Sequence, residues 1–339
     1  TKLLPTDIIP NITNNIFYGA TFLTNEKIIL FLSDRIVCWN FSENTLLWNS
    51  WFTSISVAFN TTIAEHLNSD SNIETYLDIQ KGKLYLFADF DHAISLYVIN
   101  TNNGKLLKHF TFTDESDESY WNNISLNASA MAVSISGESL VLGISCARAQ
   151  ADENDEPISL HDHKSLLVVN ITTGNIVKYE CEYPDIYAIQ FIDSNKFVVL
   201  SSILQSTYEQ PEPWSYALEC FSCSKTTSLW NRKEDAYFQI PSVKLSLEEQ
   251  TIDDNYDPQT VIIATFGNQI SFYDPNKGKR LSKVELSTNL ISTEIFDDEF
   301  NDELLLTLSD GSIYMLTNCS NLLKLGKISG DFSCAKYLP

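Results

Sequence analysis

The sequence predicts an all-β protein, a β-propeller of six to seven four-stranded blades. The stretch 83–112, KLYLFADFDHAISLYVINTNNGKLLKHFTF, holds three apolar strands, and Asn102-Asn103-Gly104 separates the second from the third. An Asn/Gly pair supplies the positive φ angles of a tight hairpin turn. The arrangement occurs six times along the chain, each time after one further short strand. A repeated four-stranded unit is typical of a β-propeller. The alternative is a pair of β-sandwiches with similar hairpins.

The repeats can be placed in chain order. The preceding strands lie at 17–23, 73–79, 130–135, 187–192, 243–247 and 291–296. The shortest distance between equivalent residues of successive units, 42 residues from Leu281 to Leu323, is that of a four-stranded blade. We therefore expect a single domain, 1–339, within a larger chain or assembly, with blades at 15–52, 73–112, 129–182, 186–232, 242–287 and 290–329 and a partial blade at 330–339.

Equivalent positions in the six units predict the core. On strands packed between neighbouring blades, both faces are buried, so one pair of residues per unit is expected to be inaccessible. These pairs are Ile29 and Phe31, Leu84 and Leu86, Leu140 and Leu142, Val198 and Leu200, Ile262 and Ala264, and Leu304 and Leu306.

Composition limits the function. The formal net charge is −22, from 44 acidic and 22 basic residues, which argues against a surface that binds nucleic acid. There is no apolar run of 18 residues, so no membrane-spanning segment is expected. Acidic residues concentrate between predicted strands. We expect 113–121, 147–164 and 251–258 to be solvated loops outside the sheets, because dense charge cannot be buried cheaply.

No residue pattern indicates an enzyme or a cofactor. The chain contains no GxSxG, P-loop, GxGxxG or HExxH motif. Its seven cysteines are scattered and mostly lie in apolar strands, as buried thiols of a reducing compartment do, and the one CxxC, Cys220–Cys223, is interpreted as structural. The pair His161 and His163 is interpreted as part of a flexible loop, since a closed zinc site needs four ligands. We expect no cofactor, no metal and no catalytic residue.

Two aromatic segments are candidates for binding a partner. The segment 205–216, QSTYEQPEPWSY, has two prolines and little strand character, and is either packed on the rim or exposed as a recognition loop. Its candidate residues are Tyr208, Trp214 and Tyr216. The C-terminal segment DFSCAKYLP resembles one strand of an unfinished blade, which makes Phe332 and Tyr337 candidates for pairing with a partner strand.

The hairpins TLLWNSW, GKLLKHF and SLWNRKE resemble those of WD-type and quinoprotein-like β-propellers. The resemblance extends over most of the chain. It departs from the WD pattern because Trp39, Trp48 and Trp230 are followed by Asn rather than Asp. It departs from the quinoprotein enzymes because regular tryptophan-docking repeats and a vicinal cysteine pair are not evident, so their cofactor is not implied.

Three classes of function remain. The first is a non-catalytic propeller that acts as a protein-protein interaction scaffold in a multi-subunit complex, located in the cytoplasm or nucleus. The second is a luminal propeller of an endoplasmic-reticulum membrane-protein assembly, for which seven N-x-S/T sequons argue. The third is a hydrolase with carboxylates at the channel mouth. Partners are expected to be proteins, with one of them completing the propeller by strand addition.

Overall fold

The computed structural model describes residues 17–32, 34–51, 73–78, 81–90, 93–112, 124–134, 136–151, 157–183, 185–207, 210–236, 243–250, 259–298 and 301–327. Within them the chain forms β-strands β1 to β24 and no helix. The strands make six four-stranded antiparallel sheets, which we number 1 to 6 in chain order. In every sheet the strands follow one another in sequence order, so each sheet is a meander. The predicted repeat of four strands is confirmed.

Sheets 1 to 3 comprise β1 Phe17–Phe22, β2 Lys27–Leu32, β3 Arg35–Asn40 and β4 Thr45–Trp51; β5 Ile73–Asp78, β6 Lys83–Phe90, β7 Ala93–Asn100 and β8 Leu106–Phe112; and β9 Ile124–Val133, β10 Ser139–Ala151, β11 Pro157–Asn170 and β12 Ile176–Tyr179. Sheets 4 to 6 comprise β13 Asp185–Phe191, β14 Lys196–Thr207, β15 Gln210–Ser222 and β16 Lys225–Ala236; β17 Val243–Gln250, β18 Gln259–Phe266, β19 Gln269–Tyr273 and β20 Arg280–Glu285; and β21 Leu290–Asp298, β22 Asn301–Leu308, β23 Ser312–Thr317 and β24 Asn321–Lys327.

The chain divides into two compact units. One consists of residues 1–131 with 144–162, and the other of residues 132–143 with 163–339. Sheets 1 and 2 lie in the first unit, and sheets 4, 5 and 6 lie in the second.

The core lies on the second and third strands of the sheets. All twelve predicted core residues are buried, with exposed fractions of 0 to 2%, so this prediction is confirmed. Strand β19 is buried along its whole length, and β18 is buried from Val261 onward. Both faces of such a strand are covered by neighbouring sheets, which is why these segments read as continuous apolar runs.

The prediction that two segments lack strands is wrong. Residues 147–151 and 157–164 belong to β10 and β11, so the acidic stretch 147–164 is largely hairpin. Residues 205–207 and 210–216 likewise extend β14 and β15. Backbone pairing continues there regardless of side-chain polarity, because every residue except proline offers the ladder a donor and an acceptor. The predicted loops 113–121 and 251–258, and the partial blade 330–339, lie outside the described residues.

One turn geometry recurs between the third and fourth strands. The side-chain oxygens of Asn40, Asn100, Asn170 and Asp274 each accept a backbone N–H from two residues further on, at 2.8–3.0 Å. Such side-chain turns explain why Asn or Asp ends the third strand. Ser222 takes the same place in sheet 4, where its Oγ accepts the N–H of Ser224 at 3.3 Å.

Candidate interaction surface

In the first unit, a tryptophan on the last strand of sheet 1 docks on the turn of sheet 2. Trp48 Nε1 donates to the carbonyl oxygen of Thr101 at 2.8 Å, and Ser50 Oγ donates to that of Gly104. A Cβ at Gly104, where φ is +69°, would lie 2.8 Å from Trp48 Cδ2. Glycine therefore allows the indole ring to lie against the backbone of the turn.

The second unit repeats this contact between sheets 4 and 5. Trp230 Nε1 donates to the carbonyl of Pro275 at 3.2 Å, and Arg232 Nε donates to that of Gly278 at 2.7 Å. A Cβ at Gly278, where φ is +61°, would lie 2.6 Å from Trp230 Cδ2. The two contacts are equivalent, since Trp48 and Trp230 each follow their turn residue, Asn40 or Ser222, by eight positions.

Other sheet pairs of the second unit use different donors for the same purpose. Tyr179 OH, on sheet 3, donates to the carbonyl of Ser222 at 2.9 Å. Ser282 Oγ, on sheet 5, donates to the carbonyl of Cys319 at 2.8 Å. From the sequence, no regular docking tryptophans were expected. The structure corrects this in part, because two of the four described contacts use tryptophan and the other two use a hydroxyl group.

Charged side chains at these contacts serve the packing. Glu234 accepts a hydrogen bond from Tyr273 OH at 2.6 Å and forms an ion pair with Arg280 at 2.9 Å. Burial, followed by the hydrogen bond to Glu234, raises the pKa of Tyr273 far above its usual value. Glu219, 4% exposed, accepts the backbone N–H of Glu182 at 2.7 Å. The carboxylate oxygens of these acids therefore bind groups of the neighbouring sheet.

The fourth strands of five sheets carry exposed aliphatic residues, whereas in sheet 5 Leu281, at the same position, is partly buried and packs against the core. Leu47, Leu107, Val177 and Leu229, which we call the rim aliphatics, each follow the turn residue by seven positions and are 41–45% exposed. These strands pair on one side only. Sheet 6 adds Leu322, Leu323 and Leu325, which are 37%, 56% and 50% exposed. Apolar groups on an edge strand favour association with another chain unless something covers them.

Two of the five predicted partner-binding residues, Trp214 and Tyr216, lie among the described residues. Tyr216 is 1% exposed and packs with Val198, Leu218 and Phe266, so it cannot serve as a surface contact. Trp214 lies in β15, where its backbone is paired with Leu204 of β14 on one side and Ala236 of β16 on the other. Tyr208, Phe332 and Tyr337 lie outside the described residues. The sequence carried a signal for the rim aliphatics, because they recur at a fixed spacing after the turn residue.

The described thiols are shielded and not disulfide-bonded, as the sequence predicts. Burial raises the pKa of Cys38 to about 11 and the pKa values of Cys220 and Cys319 to about 12. Burial also raises the pKa of Cys223, the second cysteine of the CxxC. A redox or nucleophilic cysteine needs a lowered pKa. Cys220 packs in the core, and neither thiol of the CxxC has the lowered pKa of a redox pair.

The raised pKa values of the buried thiols predict that stability falls at alkaline pH. In the unfolded chain a thiol ionises near pH 8.5, whereas the folded protein keeps Cys220 protonated up to about 12. Above about pH 8.5 the unfolded state therefore releases protons that the folded state retains, and the free energy of unfolding declines. Urea denaturation at pH 8, 9 and 10 measures this decline. We expect Cys220→Val to make it shallower, by up to about 1.4 kcal/mol per pH unit; an unchanged slope contradicts the prediction.

The described residues hold no group of three or more His, Cys, Asp and Glu side chains placed to bind a metal ion. The side chains of His161 and His163 are not among those described. No helix in this part of the chain is long and apolar enough to cross a membrane.

No protein-family model and no curated protein sequence matches the chain. Solved structures do resemble it. The Dos1 propeller has a TM-score of 0.54 and 12% identity over 95% of this chain and 72% of its own. Raptor of Chaetomium thermophilum has a TM-score of 0.52 and 11% identity over 93% of this chain, which spans 25% of the Raptor chain. Hydrazine synthase of Kuenenia stuttgartiensis has a TM-score of 0.51 and 9% identity, covering 91% of this chain and 80% of that one.

At these identities the likeness concerns the fold alone. Together with six four-stranded antiparallel sheets, it shows that the chain has a β-propeller fold, as the sequence predicts. One of the three similar structures is named as an enzyme. The fold therefore leaves the function to be argued from the surface.

Proposed function

We propose that the chain is a non-catalytic β-propeller that acts as a protein-protein interaction scaffold within a multi-subunit complex. The observation that carries this proposal is the recurrence of the rim aliphatics. Isolated exposed apolar residues are ordinary on a protein surface. Here, however, Leu47, Leu107, Val177 and Leu229 occupy one structural position on four edge strands, each about two-fifths exposed. Edge strands usually carry charged residues or proline where pairing with another chain has to be prevented.

The chemistry of the described side chains supports a role without catalysis. The thiols have raised pKa values. His109 stacks on Tyr97 with ring centroids 4.8 Å apart, and burial lowers its pKa. Glu182, Glu219 and Glu234 are hydrogen-bonded across sheet contacts. These groups have structural partners, and a partner protein is the ligand class that the exposed aliphatic positions fit best.

Substitution of the rim aliphatics tests the proposal. The double variant Leu47→Glu with Leu229→Glu places charges at two rim positions without disturbing a buried contact. We expect it to lose at least about tenfold of the protein that co-purifies with the tagged chain at equal abundance, since apolar anchors dominate interface energies. Asn49→Glu with Ser228→Glu adds the same charge at exposed positions of the same two strands and should retain the partners. Equal co-purification with both variants contradicts the proposal.

Strand addition is a second element of the proposal. A partner segment would pair with an open sheet edge, where backbone N–H and C=O groups provide affinity and alternate side chains provide specificity. The strand that the sequence predicts to pair with a partner, with Phe332 and Tyr337, lies outside the described residues. The exposed leucines of β24, immediately before that segment, support an open edge at the end of sheet 6.

We further propose a cytoplasmic or nuclear location. The buried thiols support it, because cysteines of secretory compartments usually form disulfides. The sequon residue Asn40 is 4% exposed, and its side-chain oxygen is held in a turn. This argues against a glycan on Asn40 in the folded protein. A mobility shift on treatment with a glycosidase would instead favour the luminal alternative.

A further inference from the structure

Sheet 6 has two faces that differ in burial. On one face Leu304, Leu306 and Leu316 are 0–2% exposed and pack against Ile263 and Phe272 of sheet 5. On the other face, Leu305, Met315 and Leu323 are paired across β22, β23 and β24 and form one row. Leu305 and Met315 are only partly buried, and Leu323 is 56% exposed.

The same row is covered in other sheets. In sheet 4 it consists of Val198, Cys220 and Trp230, which pack against Ile262, Ala264, Phe266 and Tyr273 of sheet 5. In sheet 1 it consists of Ile29, Cys38 and Trp48, which pack against sheet 2. Ile29, Cys38, Val198 and Cys220 are 0–1% exposed. In both units, therefore, this row faces the next sheet along the chain.

The equivalence is fixed by position. The middle residue of each row lies two places before the last residue of its strand: Cys38 in β3, Cys220 in β15, and Met315 in β23. The third residue of the row is the one whose side chain docks on a turn of the next sheet: Trp48 in sheet 1 and Trp230 in sheet 4. In sheet 6 that residue is Leu323, which has no donor for a turn carbonyl. The contact that it can make is apolar.

We propose that this row seats a β-sheet donated by a separate polypeptide, whose facing strands carry aliphatic and aromatic residues. Continuity with the packing of other sheets indicates the occupant: sheets 1, 4 and 5 each receive the apolar face formed by the second and third strands of the next sheet, as sheet 4 receives Ile262, Ala264 and Tyr273. This deepens the proposed function, on which it rests, by naming the partner's chemistry and the face that it covers.

Photocrosslinking at this row tests the inference. A benzophenone amino acid at position 323 of the tagged full chain is irradiated in the cells that make it, and the cross-linked peptides are sequenced by mass spectrometry. We expect one intermolecular product that joins residue 323 to a partner segment of alternating apolar residues. Only intramolecular products, or no product, would overturn the inference. In a separate variant, a benzophenone at position 47 identifies the proteins that contact the rim aliphatics.

A matched pair of variants separates the two proposals. In the tagged chain without benzophenone, Leu323→Asp should lower co-purification of the partner that cross-linking identifies by at least about tenfold. The reason is that an unpaired charge is costly in an apolar contact. Asn321→Asp, on the same strand and also exposed, should leave recovery unchanged. If the rim variant loses its partners while Leu323→Asp keeps them all, the scaffold function stands and the donated sheet is refuted. If neither variant loses a partner, both proposals fail.

Discussion

Replacing Gly104 by Ala is expected to lower the free energy of unfolding by about 3–5 kcal/mol, from backbone strain and overpacking together. The residue has φ +69°, and an added Cβ would lie 2.8 Å from both Trp48 Cδ2 and Ser50 Oγ. These neighbours cannot move away freely, since Trp48 Nε1 is hydrogen-bonded to Thr101 and Ser50 to Gly104 itself. The midpoint and slope of urea denaturation, followed by tryptophan fluorescence, measure the loss.

Two other glycines of the chain separate strain from steric conflict. Gly82 has φ +59°, but its nearest atoms would be 3.6 Å from a Cβ. We expect Gly82→Ala to cost only the backbone strain, about 1–2 kcal/mol. Gly326 has nothing within 4 Å of such a Cβ, so Gly326→Ala should change stability by about 0.5 kcal/mol or less. Equal losses at Gly104 and Gly82 would mean that the tryptophan contact contributes nothing to the effect.

The strands that form the core could be predicted from the sequence because burial depends on local pattern. A segment such as KIILFL or TVIIATF combines apolar and β-branched residues on both faces, which fits a strand covered on both sides and little else. Repetition strengthened the prediction, since Leu84 and Leu304 were chosen by position in the repeat as well as by residue type. Both are buried.

The long hairpins could not be predicted because their side chains do not determine them. Residues 157–164, with His161 and His163, lack a sustained apolar alternation, yet they belong to β11. The strand continues through backbone hydrogen bonds, which do not depend on side-chain identity. Pro211 and Pro213 of β15 were interpreted as marks of a loop, and they lie at the distal end of a hairpin.

Contacts between sheets were missed for a different reason. Trp48 and Thr101 are 53 residues apart, and their hydrogen bond joins two sheets that a sequence pattern treats separately. The fixed spacing from Asn40 to Trp48 and from Ser222 to Trp230 was a usable signal. It was obscured because Ser282 stands at the same spacing after Asp274, so residue identity varies while the position is retained. The row on sheet 6 could be recognised only once the strand register was known.

The largest loss from a single truncation is expected in the aromatic cluster of the second unit. Phe197 is fully buried, and its ring centroid lies 5.6 Å from that of Phe221, 5.7 Å from that of Phe191 and 6.0 Å from that of Tyr179. Phe197→Ala removes the ring that these three share. We expect a loss of about 3–5 kcal/mol in the free energy of unfolding, from lost burial and the cavity that remains, with aromatic pairing contributing to it.

The same substitution at an exposed ring provides the control. Phe22, 56% exposed, makes an edge contact with Phe41 at 6.2 Å, so Phe22→Ala should cost about 1 kcal/mol or less. The cluster also connects two sheets, because Tyr179 belongs to β12 of sheet 3 and donates to Ser222 at the end of β15 in sheet 4. We therefore expect Phe197→Ala to increase amide exchange in both β12 and β15. If the loss in stability is no greater than that of Phe22→Ala, or if exchange rises in β15 alone, the cluster does not join the two sheets.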